Sequence, residues 1–360
     1  KNEPQAGNTG RTPPLKALVT GGTGFVGSHV ARALAETGHA VRVLHRSSSR
    51  LDALAGVHYE SAIGDITDLD ALRAACEGVD WVFHVAAVAA YWREDKAKMY
   101  DANVEGTRRV LIAAREAGVR RVIFTSSAAA VGLRADGTPS DESDFFDLPP
   151  DRFPYAHTKA LAERVCMEAV NAGQDIVILN PVVVLGPGDL NKISGEMILQ
   201  IQRLSWTVPV PSGGVAMVDV RDVARMHVAA ARQGRTGERY ILGTENYAYR
   251  DLFRLIAQIT GAAQPGLPIP ASIVPALAAV IDLARGAGIP LPLDAPQTRL
   301  SAQRVYFAFE KAWAELAKPL ITIPQSVRDT WDWYAANGYV EPDHSMAALV
   351  KQIGRVIGIS

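Results

Sequence analysis

The 360-residue sequence contains only two cysteines, Cys76 and Cys166, and both fall in helical patterns. This excludes a disulfide framework, and we interpret the thiols as small apolar fillers in a reducing, cytoplasmic protein. The eight histidines show no metal-ligand spacing, because no two lie within five residues of each other, so no metal site is predicted. With 37 basic against 38 acidic residues, the chain has no excess charge that would attract nucleic acid.

Unbroken hydrophobic runs are also scarce. The most hydrophobic stretch, 272–293, is interrupted by Pro275, Asp282, Arg285 and Pro290, which excludes a transmembrane helix. We expect an apolar helix in a substrate lid there, with contact to a membrane surface as the alternative. Residues 1–14 are polar, rich in Pro and Gly, and lack an apolar core. We interpret them as a disordered or cloning-derived extension rather than as a secretory signal.

A glycine-rich turn follows the first predicted strand, LKALVT. Gly21, Gly24 and Gly27 have the spacing G-x-x-G-x-x-G, and a helical pattern and a second strand, VRVLHR, come after them. This order of strand, glycine turn, helix and strand is the context of a dinucleotide-binding fingerprint. The glycines permit a tight turn, close approach of backbone to a pyrophosphate and packing of helix on strand. The phosphates of a dinucleotide are therefore expected at the N-terminus of the helix.

The end of the second strand indicates which dinucleotide binds. It reads His45-Arg46-Ser47-Ser48, with no carboxylate before Asp52. An acidic residue at this point holds the ribose 2′-hydroxyl of NAD, whereas an arginine accommodates the 2′-phosphate of NADP. Arg46 and Ser47 therefore favour NADP(H), and acceptance of NAD(H) as well is the alternative.

A tyrosine and a lysine, Tyr155 and Lys159, lie one helical turn apart in FPYAHTKALAE, after the run RVIFTSSAAAVG. Positions i and i+4 share a helix face, so the ammonium group can lower the pKa of the phenol, which is about 10 in free tyrosine. The pair therefore predicts general acid/base catalysis near neutral pH. A chance pairing on an amphipathic helix, with a solvated lysine, is the alternative.

Strands and helices alternate in the first half of the sequence. We predict strands at 15–20, 41–45, 57–60, 80–85, 121–126 and 176–180, and helices at 25–37, 68–77, 97–117 and 155–172. This alternation predicts an α/β fold, a Rossmann-type doubly wound parallel sheet with helices on both faces. Beyond residue 180 the pattern loosens and indicates a smaller, mostly helical C-terminal substrate domain. Its helices are predicted at 194–204, 220–232, 249–260, 272–285, 308–317 and 324–337.

These patterns divide the chain into four parts. Residues 1–14 form the extension, and 15–180 form an NADP-binding Rossmann domain. Residues 181–345 form a substrate-binding region interleaved with returning Rossmann elements, because MVDVRDVARMH and ERYILG still resemble scaffold elements. Residues 346–360 are a C-terminal helix or tail.

Several segments in order also resemble those of a known family: TGGTGFVGSHV, GDITD, HVAA, NVEGTRRVL, FTSSAAAVG, YAHTK, NPVVVLGPG and VDVRDVA. Together they resemble the extended short-chain dehydrogenase/reductases of the NAD-dependent epimerase/dehydratase superfamily, over residues 15–339. Within that family the sequence is most similar to the dihydroflavonol-reductase-like branch. It is also similar to bacterial hopanoid-associated sugar epimerases.

The resemblance implies catalytic roles. Tyr155 would be the general acid/base, and Lys159 would bind the nicotinamide ribose and lower the pKa of Tyr155. Ser127 would hydrogen-bond the substrate oxygen, with Ser126 in its place if the register slips by one. Asn103 would support the backbone and a water near the lysine, with a purely backbone-binding asparagine as the alternative.

The resemblance and the strand ends also imply the cofactor contacts. The expected set is Gly21, Thr23, Gly24, Phe25, Val26, Gly27, Arg46, Ser47, Asp65, Ile66, Val85, Ala86, Ala87, Tyr155, Lys159, Pro181, Val183 and Val184. Asp65 and Ile66 would contact the adenine edge. The alternative is that Asp65 is merely exposed beside a helix capped by Thr67 or Asp68. His84 is interpreted as a structural histidine.

Substrate choice is predicted from a set of bulky side chains that could line a hydrophobic pocket beside Ser127. The candidates are Tyr91, Trp92, Met197 and Trp206, with Phe145, Phe146 and Met217 as further members, about half of which we expect to be core residues. The sequence therefore favours an NADP(H)-dependent carbonyl reductase or alcohol dehydrogenase for a hydrophobic aldehyde, ketone, hydroxysteroid or flavonoid-like molecule, as a monomer or homodimer.

Two alternatives remain at this point. A nucleotide-sugar epimerase with bound NAD is one, although such enzymes tend to carry an acid at the end of the second strand. A non-catalytic cofactor sensor is the other, although such relatives generally lose the Tyr or the Lys. Sugar dehydratases of the family follow the active-site Ser/Thr with Asp-Glu, and Ala128-Ala129 at this point argues against dehydration.

Overall fold

The computed structural model describes residues 15–89, 95–287 and 295–340. The strands in these ranges are, in chain order, β1 (Lys16–Thr20), β2 (Ala40–His45), β3 (Glu60–Ile63), β4 (Trp81–His84), β5 (Arg121–Thr125), β6 (Ile176–Pro181), β7 (Val183–Leu185), β8 (Pro209–Pro211), β9 (Gly214–Asp219), β10 (Arg239–Leu242), β11 (Glu245–Ala248), β12 (Leu267–Ile269) and β13 (Arg304–Val305). The helices are α1 (Phe25–Glu36), α2 (Leu69–Cys76), α3 (Lys96–Tyr100), α4 (Gly106–Glu116), α5 (Pro154–Asn171), α6 (Glu196–Leu204), α7 (Val220–Gln233), α8 (Tyr249–Thr260), α9 (Val274–Gly286), α10 (Ala295–Leu300), α11 (Glu310–Glu315) and α12 (Ile323–Ala336).

The larger sheet has seven strands in the order β10-β6-β5-β4-β1-β2-β3, and all its neighbouring strands run parallel. Ala17 and Val19 of β1 pack in one core beside α1 and α7, whereas Leu18 packs in a second core with α2, α4 and α5. Parallel strands that are buried on both faces are characteristic of doubly wound α/β proteins. The predicted Rossmann-type fold is confirmed. Cys76 and Cys166 are buried free thiols, as expected for apolar fillers.

The strand order reverses between β1 and β4, and this point defines the main crevice of the sheet. In open α/β sheets, ligands bind beyond the carboxyl ends of strands at such a reversal. The glycine turn follows β1 and the segment Val85–Ala87 follows β4. Gly21 has φ +70°, and a Cβ there would lie 2.7 Å from the Cα of Ala86. The two segments therefore approach so closely that only glycine fits at this position.

The chain beyond β6 builds a smaller region and also returns to the large sheet. β9 pairs in parallel with β7 and β13 and antiparallel with β11, while β8 pairs in parallel with β12. Side chains of α6, α8 and α12 form a core with β9. β10 is the edge strand of the large sheet, and α7 packs on α1. The short strands of the smaller region were not located in the sequence, because two to six residues carry little periodicity.

Two predicted elements differ from the structure. The third strand is Glu60–Ile63 rather than 57–60, because Val57 still closes a turn through its N–H bond to Leu54 O. This strand is a polar edge strand, so hydrophobicity did not locate it. The helix predicted at 97–117 is α3, a π-helical turn Asp101–Glu105 and then α4.

The apolar segment predicted as a lid contains α9, which is 13 residues long and carries exposed Val280 and Leu283. Within the described residues, no helix is long and apolar enough to cross a bilayer. The extension 1–14, the tail 346–360 and part of the segment 272–293 lie outside the described residues.

Candidate active site

Tyr155 and Lys159 lie on one face of α5, which starts with Pro154 at its first position. Both side chains are buried, with 8% and 2% of their surface exposed. The Lys159 ammonium donates to Thr125 O at the end of β5 (2.6 Å) and lies 4.5 Å from the centre of the Phe124 ring. Burial lowers the pKa of Lys159 to about 8. The alternative of a solvated lysine on a surface helix is therefore wrong.

Asn103 connects this helix to the segment after β4. Its Oδ1 accepts from Val88 N (2.8 Å), and its Nδ2 donates to Val88 O (3.1 Å) and to Thr158 Oγ1 (3.0 Å). Thr158 in turn donates to Tyr155 O (2.8 Å). The π-helical turn carries Asn103, and such turns often occur at functional sites. Asn103 thus supports backbone, as predicted, and its part near a water stays a prediction.

The two serines at the end of β5 have different environments. Ser126 is buried and its hydroxyl donates to Glu163, a bond that occupies its proton. Ser127 is half-buried, and its Oγ accepts a long bond from Ala129 N (3.2 Å). Within the described ranges the Ser127 hydroxyl is seen only as an acceptor, so its proton is available to a substrate, and the turn Ala128–Ala130 after it packs on α5. This geometry favours Ser127 over Ser126 as the hydroxyl that meets a substrate.

The glycine turn provides a recess that suits a pyrophosphate. Gly24 is the N-cap residue of α1. Because glycine has no side chain to accept a hydrogen bond, no capping side chain binds the first N–H groups of the helix. A Cβ on Gly27 would collide with the carbonyl oxygen of Gly21, which is why α1 can lie so close to the turn. The uncapped N-terminus of α1 and the glycine turn, which has no side chains at these positions, form a cradle that fits the phosphates of a dinucleotide.

The adenosine end of the crevice is more open. The Arg46 side chain has 69% of its surface exposed, and its Nε lies 4.0 Å from Asp65 Oδ2. Ser47 is exposed too. Asp65 Oδ1 accepts from the N–H and hydroxyl of Thr67, whereas Asp68 caps α2. Asp68 is therefore the N-cap of α2, in agreement with the alternative in which Thr67 or Asp68 caps this helix. A contact of Asp65 or Ile66 with adenine stays a prediction.

The other predicted cofactor contacts lie at the same edge of the sheet. Val85, Ala86 and Ala87 directly follow β4, and Thr23, Phe25 and Val26 belong to the glycine turn and the start of α1. Pro181 ends β6, while Val183 and Val184 begin β7 and are half-buried. The carboxyl ends of β1, β4 and β6 thus bring these segments to one crevice.

The residues predicted to contact the substrate differ in how exposed they are. Met197 is half-buried on α6, whereas Met217 is fully buried in the core around β9. Phe146 stacks on His157, with ring centres 6.0 Å apart, and Phe145 has 79% of its surface exposed. Tyr91, Trp92 and the side chain of Trp206 lie outside the described residues.

His84 lies in a buried hydrogen-bond network with threonine hydroxyl groups, which the sequence motifs do not predict. Thr107 Oγ1 donates to Asn103 O (2.7 Å), so it accepts from His84 Nε2 (3.0 Å). The other ring nitrogen, Nδ1, therefore accepts from Thr20 Oγ1 (2.8 Å), which accepts in turn from Ala86 N (3.3 Å). Burial lowers the pKa of His84 to about 3, so the ring is neutral. As interpreted from the sequence, His84 is structural, and it ties Ala86 to Asn103.

This arrangement provides the groups that a proton-coupled hydride transfer requires. A phenol lies on α5 one helical turn from a residue with a buried ammonium group, and a serine hydroxyl lies just beyond the end of β5. The dinucleotide cradle opens at the same edge of the sheet. A general acid, a cation that favours its deprotonated form and a hydrogen-bond donor can together stabilise developing charge on a carbonyl oxygen.

The chain resembles known proteins over most of its length. Residues 17–243 match the family model of the NAD dependent epimerase/dehydratase family. A Synechocystis protein provisionally named a dihydroflavonol 4-reductase is 38% identical over 90% of this chain and 96% of its own. Sterol demethylase protein B of Methylococcus capsulatus is 36% identical over 74% of this chain and 81% of its own.

A solved structure supports the same grouping. A nucleoside-diphosphate-sugar epimerase from Pseudomonas aeruginosa is 27% identical and superposes with a TM-score of 0.76, covering 91% of this chain and 99% of its own. Fold, cradle and family model agree on a nicotinamide dinucleotide as the cofactor class. The chain therefore belongs to the NAD dependent epimerase/dehydratase family, in the extended branch of the short-chain dehydrogenase/reductases.

Proposed function

We propose that this protein is an NADP(H)-dependent carbonyl reductase, or alcohol dehydrogenase in the reverse direction, with a Ser127–Tyr155–Lys159 site. The observation that carries the proposal is the burial of Lys159 one helical turn from Tyr155, with its ammonium bonded to Thr125 O directly before the two serines. Burying a charged lysine costs desolvation free energy, and such buried ionisable groups cluster at functional sites.

The residues have distinct tasks in this reaction. When bound, NADPH supplies the hydride that the carbonyl carbon accepts. Tyr155 Oη gives its proton to the carbonyl oxygen, Ser127 donates a hydrogen bond to the same oxygen, and the Lys159 cation stabilises the phenolate that remains. Solvent then returns a proton to Tyr155. The substrate C=O becomes CH–OH, so atoms and charge balance.

Preference for NADP over NAD is supported by the end of β2. Arg46 is exposed, forms a loose contact with Asp65 and so can turn to a 2′-phosphate. Ser47 adjoins it as a neutral donor. No carboxylate follows β2 until Asp52, so the strand end itself lacks the acidic residue that would repel a 2′-phosphate.

A hydrophobic substrate is supported by the surroundings of the reaction centre. Phe146 stacks on His157, two residues after Tyr155, and Phe145 beside it presents an exposed ring. The relatives named for dihydroflavonol and sterol chemistry point to the same class, aromatic or polycyclic carbonyls. We expect a hydrophobic aldehyde, ketone, hydroxysteroid or flavonoid-like molecule.

A nucleotide-sugar epimerase is the second candidate, because a structural relative bears that name. The two are separated by a substrate panel followed at the NADPH absorbance band, with aromatic aldehydes, ketosteroids, flavonoid ketones and nucleotide sugars. A reductase oxidises NADPH with a carbonyl member of the panel and loses nicotinamide on dialysis, because it exchanges the cofactor in every cycle. Tightly held NAD, no carbonyl reduction and interconversion of a nucleotide sugar without added cofactor would support the epimerase.

A further inference from the structure

Glu163 is a buried carboxylate for which the proposed reaction has no direct use. It lies one turn beyond Lys159 on the same face of α5, with 7% of its surface exposed. Burial raises the pKa of Glu163, whereas Arg239, Ser126 and Asn180 favour its charged form. A buried charge is costly and persists only with good partners. The identity of those partners indicates what Glu163 does.

The Glu163 carboxylate binds two side chains that adjoin Ser127, those of Ser126 and Asn180. Glu163 Oε1 accepts from the hydroxyl of Ser126 and from Asn180 Nδ2 (2.6 Å). Asn180 Nδ2 also donates to the carbonyl oxygen of Ser127 (3.0 Å). One amide group, near the end of β6, is therefore shared between the Glu163 carboxylate and the Ser127 peptide.

Arg239 balances the charge and extends the contact to the loop after Ser127. Its Nε lies 3.1 Å from Glu163 Oε2. Its terminal nitrogens donate to Ala130 O (3.3 Å), Glu142 O (3.2 Å) and Asp144 O (3.2 Å). The guanidinium thus connects the edge strand β10 with the beginning and the middle of the loop that runs from Ser127 to α5.

Ser127 needs such support because it lies beyond the regular part of the sheet. β5 ends at Thr125, and Ser126 N makes the last bond to β6, to Leu179 O (2.7 Å). The Ser127 carbonyl is held by Ala130 N (2.9 Å), within its own turn, and by Asn180. Among these two, only Asn180 connects the peptide to the rigid scaffold.

We propose that Asn180 and Glu163 are positioning residues that hold the Ser127 hydroxyl in place opposite Tyr155, with Arg239 as the charge partner of Glu163. This inference rests on the proposed role of Ser127 in carbonyl reduction. In this proposal, neither Asn180 nor Glu163 touches the substrate. Their effect is transmitted through the orientation of the Ser127 peptide, and a small displacement of a group that binds a transition state can cost much of its rate contribution.

A double-mutant cycle between Asn180→Ala and Ser127→Ala tests this inference. We expect N180A to lower kcat about tenfold, with the affinity for NADPH changed less than twofold, because one positioning hydrogen bond is lost. In the S127A background, N180A should have no further effect on kcat, since the group that it positions is gone. The readouts are kcat, the NADPH dissociation constant by fluorescence, and the Tm.

Asn246→Ala is the matched control. Asn246 also bonds backbone on both sides of its amide, donating to Phe307 O (2.9 Å) and accepting from Phe307 N (3.1 Å), but it lies on β11. N246A should lower the Tm and leave kcat unchanged. If N180A fails to fold, Asn180→Ser serves as the second variant, because its shorter side chain cannot reach both acceptors.

Three outcomes would overturn the inference, and they can be distinguished. If N180A lowers kcat by the same factor with and without the Ser127 hydroxyl, Asn180 is a structural residue and only this inference fails. If S127A alone keeps the wild-type kcat, the proposed role of Ser127 fails first, and the positioning role fails with it. Equal losses of Tm in N180A and N246A, without any change in kcat, would also contradict it.

Discussion

The two ends of the crevice are built differently. At the reaction end, Lys159, Asn103 and Glu163 are buried, and each makes two or more polar or aromatic contacts with other parts of the fold. At the adenosine end, Arg46 and Ser47 are exposed, and the one ion pair that Arg46 makes within the described ranges spans 4.0 Å.

This difference separates two kinds of specificity. Groups that act on a transition state gain from being fixed before the substrate arrives, because no reorganisation is then needed during the reaction. Groups that only select a cofactor can stay mobile and solvated until it binds. Changes at the reaction end are therefore expected to lower rate and alter stability, whereas changes at the adenosine end should alter cofactor affinity alone.

The largest effect is expected from Tyr155→Phe. The change removes the proposed proton donor, and general acid/base groups contribute about 10²- to 10⁴-fold in rate. NADPH affinity should remain within a few-fold of wild type. Tyr240→Phe is the matched control, because that phenol donates to Glu315 on the far side of the sheet (2.6 Å) and should affect stability only. Wild-type turnover in Y155F would remove the basis of the proposed mechanism.

Lys159→Met should reveal the cost of the buried cation. The pKa of Lys159 is lowered from 10.5 to about 8, so between these values the unfolded chain keeps a proton that the folded chain has lost. The free energy of unfolding of the wild type should therefore rise with pH through this window, by up to about 3 kcal/mol relative to K159M. Urea titrations at several pH values measure the difference.

The exposed Lys318→Met provides the control for that series, and its curve should run parallel to the wild type. Parallel curves for K159M as well would mean that Lys159 titrates as an ordinary lysine. In turnover assays, K159M should move the basic limb of the pH–rate profile upward, because the cation no longer favours the Tyr155 phenolate.

Arg46→Asp tests the role of the adenosine end of the crevice. It replaces a proposed charge-assisted phosphate contact by repulsion, so the dissociation constant of NADPH should rise about 10- to 100-fold while that of NADH changes little. Arg254→Asp, on the distant α8, is the charge control. Equal affinity of the wild type for NADH and NADPH would show that the preference for NADP is wrong.

The smallest effect is expected from Ser47→Ala. A neutral hydrogen bond to the phosphate is worth about 0.5 to 1.5 kcal/mol, so NADPH affinity should fall about threefold to tenfold. The kcat should not change, because Ser47 lies at the opposite end of the crevice from Tyr155. A loss of kcat comparable to that of Y155F would break the separation between the two ends.

The sequence predicted the parts that carry strong local signals. The glycine turn, the α5 helix with its Tyr-Lys pair and the sheet class follow from spacing and periodicity, which act over short stretches of chain. The π-helical turn at Asn103 and the polar edge strand at Glu60–Ile63 lack such signals. The link from Glu163 through Asn180 to Ser127 joins residues up to 53 positions apart, so only the tertiary fold brings it together.

The transfer of deuterium from NADPH to the product tests the central claim most directly. Dialysed protein would be mixed with an active carbonyl substrate and NADPH that carries deuterium at both C4 positions, and the product alcohol analysed by mass spectrometry and NMR. Carbonyl reduction at Tyr155 predicts one deuterium on the new carbinol carbon for each NADPH oxidised, with none transferred at a comparable rate by Y155F. No net NADPH oxidation, together with a substrate that is epimerised without gaining deuterium, would contradict the account.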